Sequence, residues 1–324
     1  MKLLILESKD PYYNLAVEEY LFRHGTGDIF MLWQNEPTVV IGCNQNAYAE
    51  VDFDVLREKG IHLARRITGG GAVYHDLGNV NYTLISDRAE NGIDFSAFTA
   101  PVLSALATLG IKAELSGRND LLVDGKKFSG NAQYSNGGRT LHHGTLLFDS
   151  DLEMLSHVLR PDEEKIKSKA VKSVRSRVTN LSSLLQKNCD TGTFIALLAD
   201  FVREKYAPEE IAVPVCEEID RLCARNASSE WLYPARGIAS AYSITRKKRY
   251  PFGTVCVSLH LGNDFLKSLT VTGDFFGTEP ITALEALLEN TPMRALEARL
   301  AGVDLSRYIH GMSTAEFLAL LKNE

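Results

Sequence analysis

Nowhere does this chain of 324 residues hold an apolar run approaching the ~20 residues that a membrane-spanning helix needs. Its start, Met1 to Ser8, brings one base and four apolar residues before Glu7, too short for the apolar region of a signal peptide. A cytoplasmic location is the expectation. Cysteine is scarce: the five residues Cys43, Cys189, Cys216, Cys223 and Cys256 are odd in number and form no CxxC pair. That excludes a disulfide framework and a zinc cage, and leaves reduced, mostly buried thiols. An excess of base is missing too, since 35 Lys and Arg face 41 Asp and Glu for a net charge of -6. Bulk attraction to nucleic acid or to acidic membranes is thereby removed, and any anion-binding surface has to be local. No GxxxxGK followed by Ser or Thr occurs, and Gly69-Gly70-Gly71 lacks the GxGxxG spacing, so Walker and dinucleotide loops are excluded. Internal repeats and low-complexity segments are absent as well.

What is present suffices for a real core, with 45% hydrophobic residues and length for one large domain and a smaller one. Short apolar and β-branched runs at Ile29 to Trp33, Thr38 to Ile41, Asn81 to Ile85 and Thr140 to Phe148 read as strands. Helical patterns lie between them. Asn14 is the expected N-cap of a helix from Leu15 to Phe22, and Phe53 to Lys59 reads as a helix stopped by a left-handed Gly60. Another helix is expected over Thr99 to Leu109, with Pro101 in its first turn and Gly110 behind it. Asp124-Gly125 between Leu121-Leu122-Val123 and Lys126-Lys127-Phe128 is a hairpin signal that puts Lys127 on a strand just past a tight turn. After residue 190 helices dominate as far as a polar, basic stretch, Ser243 to Arg249, read as the connection between two cores. Gly253 to Leu261 and Phe265 to Thr272 then alternate like strands, followed by helices over Thr282 to Glu289 and Ser313 to Lys322. Strands and helices without regular βαβ alternation give an α+β sheet domain over 1–243 and a small α+β accessory domain over 247–324.

Four segments carry chemistry. In Arg65-Arg66-Ile67-Thr68-Gly69-Gly70-Gly71-Ala72-Val73-Tyr74-His75, three glycines let backbone N–H groups approach a ligand, and an arginine fork suits phosphate or carboxylate. The alternative is a flexible surface turn. Asn119-Asp120 supplies hard oxygens suited to magnesium on a triphosphate, and Lys127 supplies charge for a phosphoryl or carboxyl centre. Turn formation and a solvated hairpin end explain the same residues more simply. His142 and His143 are adjacent on a strand, so they point to opposite faces and at most one serves a site; one in the core and one outside is the structural alternative. Finally, Lys165, Lys167, Lys169, Lys172, Arg175 and Arg177 occur without an acid among them, either a steering patch for an anion or acidic partner, or a solvated face.

Taken in order, these segments resemble the lipoate-protein ligase family. The matching text is Asn14 to Glu19, Trp33 with Val39 to Asn46, Arg65 to Asn79, Gly117-Arg118-Asn119-Asp120, Lys127 to Ala132, His143-Gly144-Thr145 and Ser173 to Leu181. Gly273-Asp274-Phe275-Phe276 after two strands is similar to the accessory domain of the bacterial enzymes. The resemblance implies a mixed-sheet biotin/lipoate ligase catalytic domain that activates lipoate with ATP and Mg2+ to lipoyl-AMP, then acylates a partner's lysine. It implies that Trp33, Arg66, Thr68, His75 and His143, with Lys127, border the lipoate. Gly71, Ala72, Val73, Tyr74 and Asn79, with Arg66 and Lys127, are implied to hold ATP, and Asn119 and Asp120 to position the metal. Lys127 is implied as the catalytic group between carboxylate and α-phosphate. The implied acceptors are lipoyl domains of 2-oxoacid dehydrogenase E2 subunits and the glycine-cleavage H protein, modified by a monomer that has no nucleic-acid or membrane partner. Thr68 stands where the family often shows Ser, and Tyr134 where some relatives carry Arg.

Three rivals remain to be separated. An octanoyl or lipoyl transferase of the same fold uses a cysteine nucleophile, yet no cysteine lies between Gly70 and Thr145, and Cys43 falls in a different loop. A biotin ligase would show a different glycine-rich loop. A binding module without turnover has no use for Lys127 with Asn119-Asp120.

Overall fold

A computed structural model describes residues 1–87, 93–117, 119–159, 177–185, 189–234 and 244–323. The chain opens with β1 (Lys2–Ile5), α1 (Pro11–His24), β2 (Ile29–Trp33), β3 (Thr38–Ile41), α2 (Ala47–Glu50), α3 (Phe53–Lys59), β4 (His62–Arg65), β5 (Val73–His75) and β6 (Asn79–Ser86). It continues with α4 (Phe95–Thr108), β7 (Glu114–Ser116), β8 (Asp120–Val123), β9 (Lys126–Asn136), β10 (Arg139–Leu147) and α5 (Leu152–Val158). Helices Thr191–Tyr206, Glu217–Asn226 and Ser229–Leu232 follow, with the short strand β11 (Glu209–Glu210) after the first of them.

Eight strands form the main sheet in the order β11-β1-β2-β6-β10-β9-β8-β7, parallel at the β11, β1, β2 end and antiparallel from β2 onward. Strands β2 and β6 are buried along their whole length, because both faces of the sheet are covered. Alternation sorts their side chains. Phe30, Leu32, Val80, Tyr82 and Leu84 pack under α4 and the Thr191–Tyr206 helix, whereas Ile29, Met31, Trp33 and Ile85 pack under α1 and the Glu217–Asn226 helix. On that second face β6 also carries Asn79, Asn81 and Thr83, all buried. A polar row inside a core strand must be paid in hydrogen bonds, and it marks where the site lies. A second sheet, β4-β3-β5, leans on the first with its own core, which includes Val39, Ile41, Leu56 and Tyr74.

The tail forms an antiparallel sheet, β12 (Ile244–Tyr250), β13 (Gly253–Gly262), β14 (Phe265–Gly273) and β15 (Thr291–Pro292), backed by helices Ile281–Leu288, Leu296–Leu300 and Thr314–Lys322 over a separate apolar core. Helix and strand are thus mixed in both halves, as an α+β reading requires. Among the described residues, no helix is long and apolar enough to cross a membrane.

Several local expectations hold in detail. Asp124 and Gly125 take φ of 49° and 72° between the paired Val123 and Lys126, the geometry of a two-residue hairpin turn. Gly60 caps α3 at φ 64°. Three expectations are corrected. Asn14 is not an N-cap: Asp10 is, accepting from Tyr12 N at 2.8 Å and Tyr13 N at 3.2 Å with Pro11 opening the helix, and Asn14 lies buried inside α1. Helix α4 begins at Phe95 under an Asp94 cap, four residues before the expected Thr99, which leaves Pro101 in the helix interior. The stretch expected as a connection is instead the edge strand β12, paired from Ile244 with Leu259 to Tyr250 with Gly253. Ser243, Arg118, the lysines at 165–172 and Arg175 lie outside the described residues.

Candidate active site

Below the glycine-rich segment, on the α1 side of the main sheet, lies a cavity of about 220 Å³. Trp33 from β2, Arg66, Gly71, Ala72, and Val73 and His75 from β5 line one part of it. Asn119, Asp120 and Lys127 from the β8–β9 hairpin and His143 from β10 line the other, and Asp274 of the tail reaches its wall. Segments far apart in sequence therefore meet at one place. Thr68, Tyr74 and Asn79 are not on the wall. Thr68 and Asn79 sit in its backing, hydrogen-bonded to His143 and Asn81 respectively. The Tyr74 ring belongs to the core of the small sheet, where burial pushes its hydroxyl up to about 12.

The arginine of the glycine loop is first of all a scaffold. Arg66 is buried, and it donates from Nε to Thr68 Oγ1 (2.9 Å), from Nη1 to Val40 O (3.1 Å) and from Nη2 to Gly69 O (2.7 Å) and Gly71 O (2.8 Å). Burial lowers its pKa to about 10, which still leaves it charged at neutral pH. The loop is thus wrapped round a fixed cation that also lines the cavity. Arg65, its neighbour, turns away and donates to the carbonyls of Gly42, Gln45, Trp231 and Leu232. Two of the glycines answer to the tail. A Cβ on Gly69 would stand 2.4 Å from Phe275 O, and one on Gly70, at φ 89°, would stand 2.8 Å from the Phe276 ring. The Gly70 N–H donates to Phe275 O at 3.2 Å, so that amide is occupied by protein; Gly71 lines the cavity, and a Cβ there would only touch Asp274 Cβ at 3.9 Å.

Lys127 reaches the wall through a bulge. Leu121 opposes Ser129 while Leu122 opposes Lys127, so Phe128 is an extra residue on β9. One extra residue reverses the alternation, and Lys127 joins the face of Gly130 and of Ala132, which pairs with His143. Lys126 is exposed. The Lys127 ammonium sits 2.7 Å from Asp120 Oδ1, and its backbone carbonyl accepts from Thr179 N at 2.9 Å. A Cβ at Gly130 would lie 3.0 Å from Lys127 Nζ, so glycine leaves the room in which the lysine folds. Asn119 is locked to Asn131 by its side-chain N–H and by its carbonyl. Asp120 brings one carboxylate, and no cluster of three or more His, Cys, Asp or Glu occurs among the described residues. This donor set fits a magnesium ion held mainly by substrate phosphates, not an all-protein cage.

A buried polar chain that the sequence reading missed backs the opposite side. Trp33 Nε1 donates to Thr83 Oγ1 (2.9 Å), and Thr83 to Glu18 Oε1 (2.6 Å). The same Glu18 carboxylate takes His143 Nδ1 at 2.9 and 3.0 Å, and His143 Nε2 meets Thr68 Oγ1 at 2.9 Å. Glu18 stands in the matched Asn14-to-Glu19 segment, and the signal that marks it is an acid on a helix flanked by Ala16, Val17 and Leu21. His142 lies on the other face, stacked on Phe98 with centroids 5.4 Å apart, and burial pulls its pKa down to about 3. One histidine serves the wall and one the core. His75 is likewise buried with its pKa lowered to about 3, by burial first and then by Arg66 and His143.

Cys43 and Tyr134 do not line this cavity. Both border a larger one, about 750 Å³, between the first domain and residues 277–282 of the tail.

A family model described as the lipoyl protein ligase A/B catalytic domain matches residues 10–203, and one described as the bacterial lipoate protein ligase C-terminus matches residues 239–321. Lipoate-protein ligase LplJ of Bacillus subtilis (strain 168) is 36% identical over 323 residues, 96% of this chain and 97% of that protein. Among solved structures, P. falciparum LipL1 in complex with lipoate has a TM-score of 0.80 at 25% identity, covering 100% of this chain and 98% of that one. A bi-partite lipoate protein ligase from Thermoplasma acidophilum, solved with its E2 lipoyl domain, gives 0.62 at 31% identity over 72% and 95%. A lipoate-protein ligase A bound with ATP gives 0.59 at 29% identity over 72% and 98%.

Proposed function

Because the chain belongs to the lipoate-protein ligase family, we propose that it spends ATP to activate lipoate as lipoyl-AMP and passes the lipoyl group to a lysine of a lipoyl-domain acceptor. The observation that carries this reading is the meeting of Lys127, paired with Asp120, and the Arg66-centred glycine loop on one cavity wall. In the first step a lipoate carboxylate oxygen attacks the α-phosphorus of ATP, and pyrophosphate leaves. In the second, the acceptor's amine attacks the acyl carbon, AMP departs with the C–O bond electrons, and the ammonium proton is lost to solvent. Lys127 Nζ is positioned to neutralise charge on the carboxylate and the α-phosphate, and exchanging Asp120 for these anions costs it little at a half-exposed site. Arg66 holds the loop and adds positive potential. Gly71, Ala72 and Val73 offer backbone to the nucleotide, while Trp33, His75 and His143 border the acyl chain. Magnesium, when bound beside Asn119 and Asp120, supplies neutralisation of phosphate charge.

The likeness to a ligase solved with its E2 lipoyl domain supports lipoyl domains as acceptors. The glycine-cleavage H protein, a cytoplasmic location and a monomeric enzyme complete the reading. Division at 1–243 and 247–324 assigns chemistry to the first part and gating to the second. Lipoate-dependent ATP–pyrophosphate exchange, run beside octanoate and biotin, tests it; absence of exchange with all three in folded protein overturns it. A transferase reading needs a cysteine at the acyl site, and Cys43 borders the other cavity.

A further inference from the structure

His75 presents a buried ring nitrogen, Nε2, with no hydrogen-bond partner among the described residues, on a residue that lines the cavity. Which nitrogen carries its proton follows from groups that have no choice. Asn14 Nδ2 lies 3.0 Å from Ser8 O and 2.8 Å from Gln34 O, and backbone carbonyls only accept. The Asn14 nitrogen is thereby fixed, and its two hydrogens, shared among three acceptors, also face Asn35 Oδ1 at 2.9 Å, where an Asn35 nitrogen would set donor against donor. Asn35 must then turn its own nitrogen outward, and Nδ2 stands 3.0 Å from His75 Nδ1. Asn81 agrees with this orientation: its Oδ1 accepts from Asn79 Nδ2 at 2.9 Å, which leaves its Nδ2 facing the same His75 Nδ1 at 3.5 Å. An amide N–H only donates, so His75 Nδ1 holds a lone pair and the ring proton sits on Nε2.

We infer that Asn14 and Asn35 are positioning residues that hold His75 as its Nε2–H tautomer, a fixed hydrogen-bond donor for a carboxylate or phosphate oxygen of the molecule bound in the cavity. Burial, and the Arg66 and His143 side chains that act on the ring, keep the imidazole neutral over the ordinary pH range. A neutral donor is what a site already holding the buried Arg66 and the half-exposed Lys127 can add without a further positive charge. A buried N–H without a partner is a cost to the empty site, and a ligand oxygen that accepts from it removes that cost on binding. The donor's direction rests on this geometry alone; that the oxygen belongs to lipoate or ATP rests on the function proposed above.

The test separates the two. Long-range ¹H–¹⁵N correlation of the ring in ligand-free, ¹⁵N-labelled protein is expected to show His75 with an acceptor-type Nδ1 and a protonated Nε2. A ring protonated on Nδ1, or averaging between tautomers, overturns the inference whatever the enzyme does. Addition of lipoate alone and of ATP alone identifies the oxygen: a Nε2 proton shift with one of them supports the donor role, and no shift with either or with both together overturns it. Asn35→Asp keeps the shape and still accepts from Asn14 but presents an acceptor to the ring. It is expected to move the proton to Nδ1, raise the imidazole pKa by about 2 units and lower the exchange kcat more than it raises KM for lipoate. An unchanged tautomer in folded Asn35→Asp protein overturns the relay, and the wild-type spectrum decides the question should that variant fail to fold.

Discussion

Lys127 is half-exposed and its pairing with Asp120 is open to solvent. Removing it disturbs the fold by less than about 1 kcal/mol, whereas the loss of charge at the reacting centre is worth about 10²–10³ in rate. Lys127→Ala is therefore expected to lose pyrophosphate exchange by that factor while its melting temperature hardly moves; near-normal exchange would remove the lysine from the chemistry. Lys126→Ala, on the exposed side of the hairpin, is expected to stay within about twofold of wild type, since surface changes away from special contacts have little effect. Cys43 borders the interdomain cavity and its N–H is held by Thr68 O at 2.9 Å. Cys43→Ser is accordingly expected to keep most ligase activity, and intact-mass analysis under turnover to find no acyl group on the thiol; an acyl-enzyme there would move the protein to the transferases.

Helix α1 shows how much of the site was legible and where legibility stopped. The glycine loop, the hairpin lysine and the paired histidines each had a plain structural alternative when taken singly, and only their order and spacing, which resemble those of a known ligase family, marked them as parts of one site. The asparagine at 14 is ambiguous at that level. A residue with one amide caps a helix or bridges loops equally well, and only the fold brings Ser8 and Gln34 carbonyls within its reach. Glu18 was hidden for the same reason, since its partners His143 and Thr83 lie in strands far along the chain. The bulge at Phe128 could not be read at all, for register depends on the partner strand. The two helix-start residues now part in energy. Asp10→Ala removes an N-cap and is expected to cost about 1 kcal/mol. Asn14→Ala removes two N–H donors from the Ser8 and Gln34 carbonyls and Asn35 Oδ1, at on the order of 1–3 kcal/mol for each bond lost. Urea midpoints of the two variants check the order, and equal midpoints would return Asn14 to the role of a cap.

At the scale of the whole molecule the two cores are separate, but the tail touches the site through Gly70 N–H to Phe275 O, Phe276 against Phe95 and Asp274 on the cavity wall. A truncation after Ser243 is expected to fold, to fail in adenylate formation from ATP, and still to transfer lipoate from supplied lipoyl-AMP. Full exchange activity would show that the tail has no part in activation, and loss of both activities together with the fold would show the boundary to be misplaced. Strand β12 bears on another matter. It is the outer strand of the tail's sheet, and its Lys247, Lys248 and Arg249 are exposed. An unpaired strand edge is a template on which a second copy can add itself, and so on into a fibril. Two copies meeting along β12 would bring these bases face to face, so the charge opposes polymerisation through an edge that carries no partner strand among the described residues.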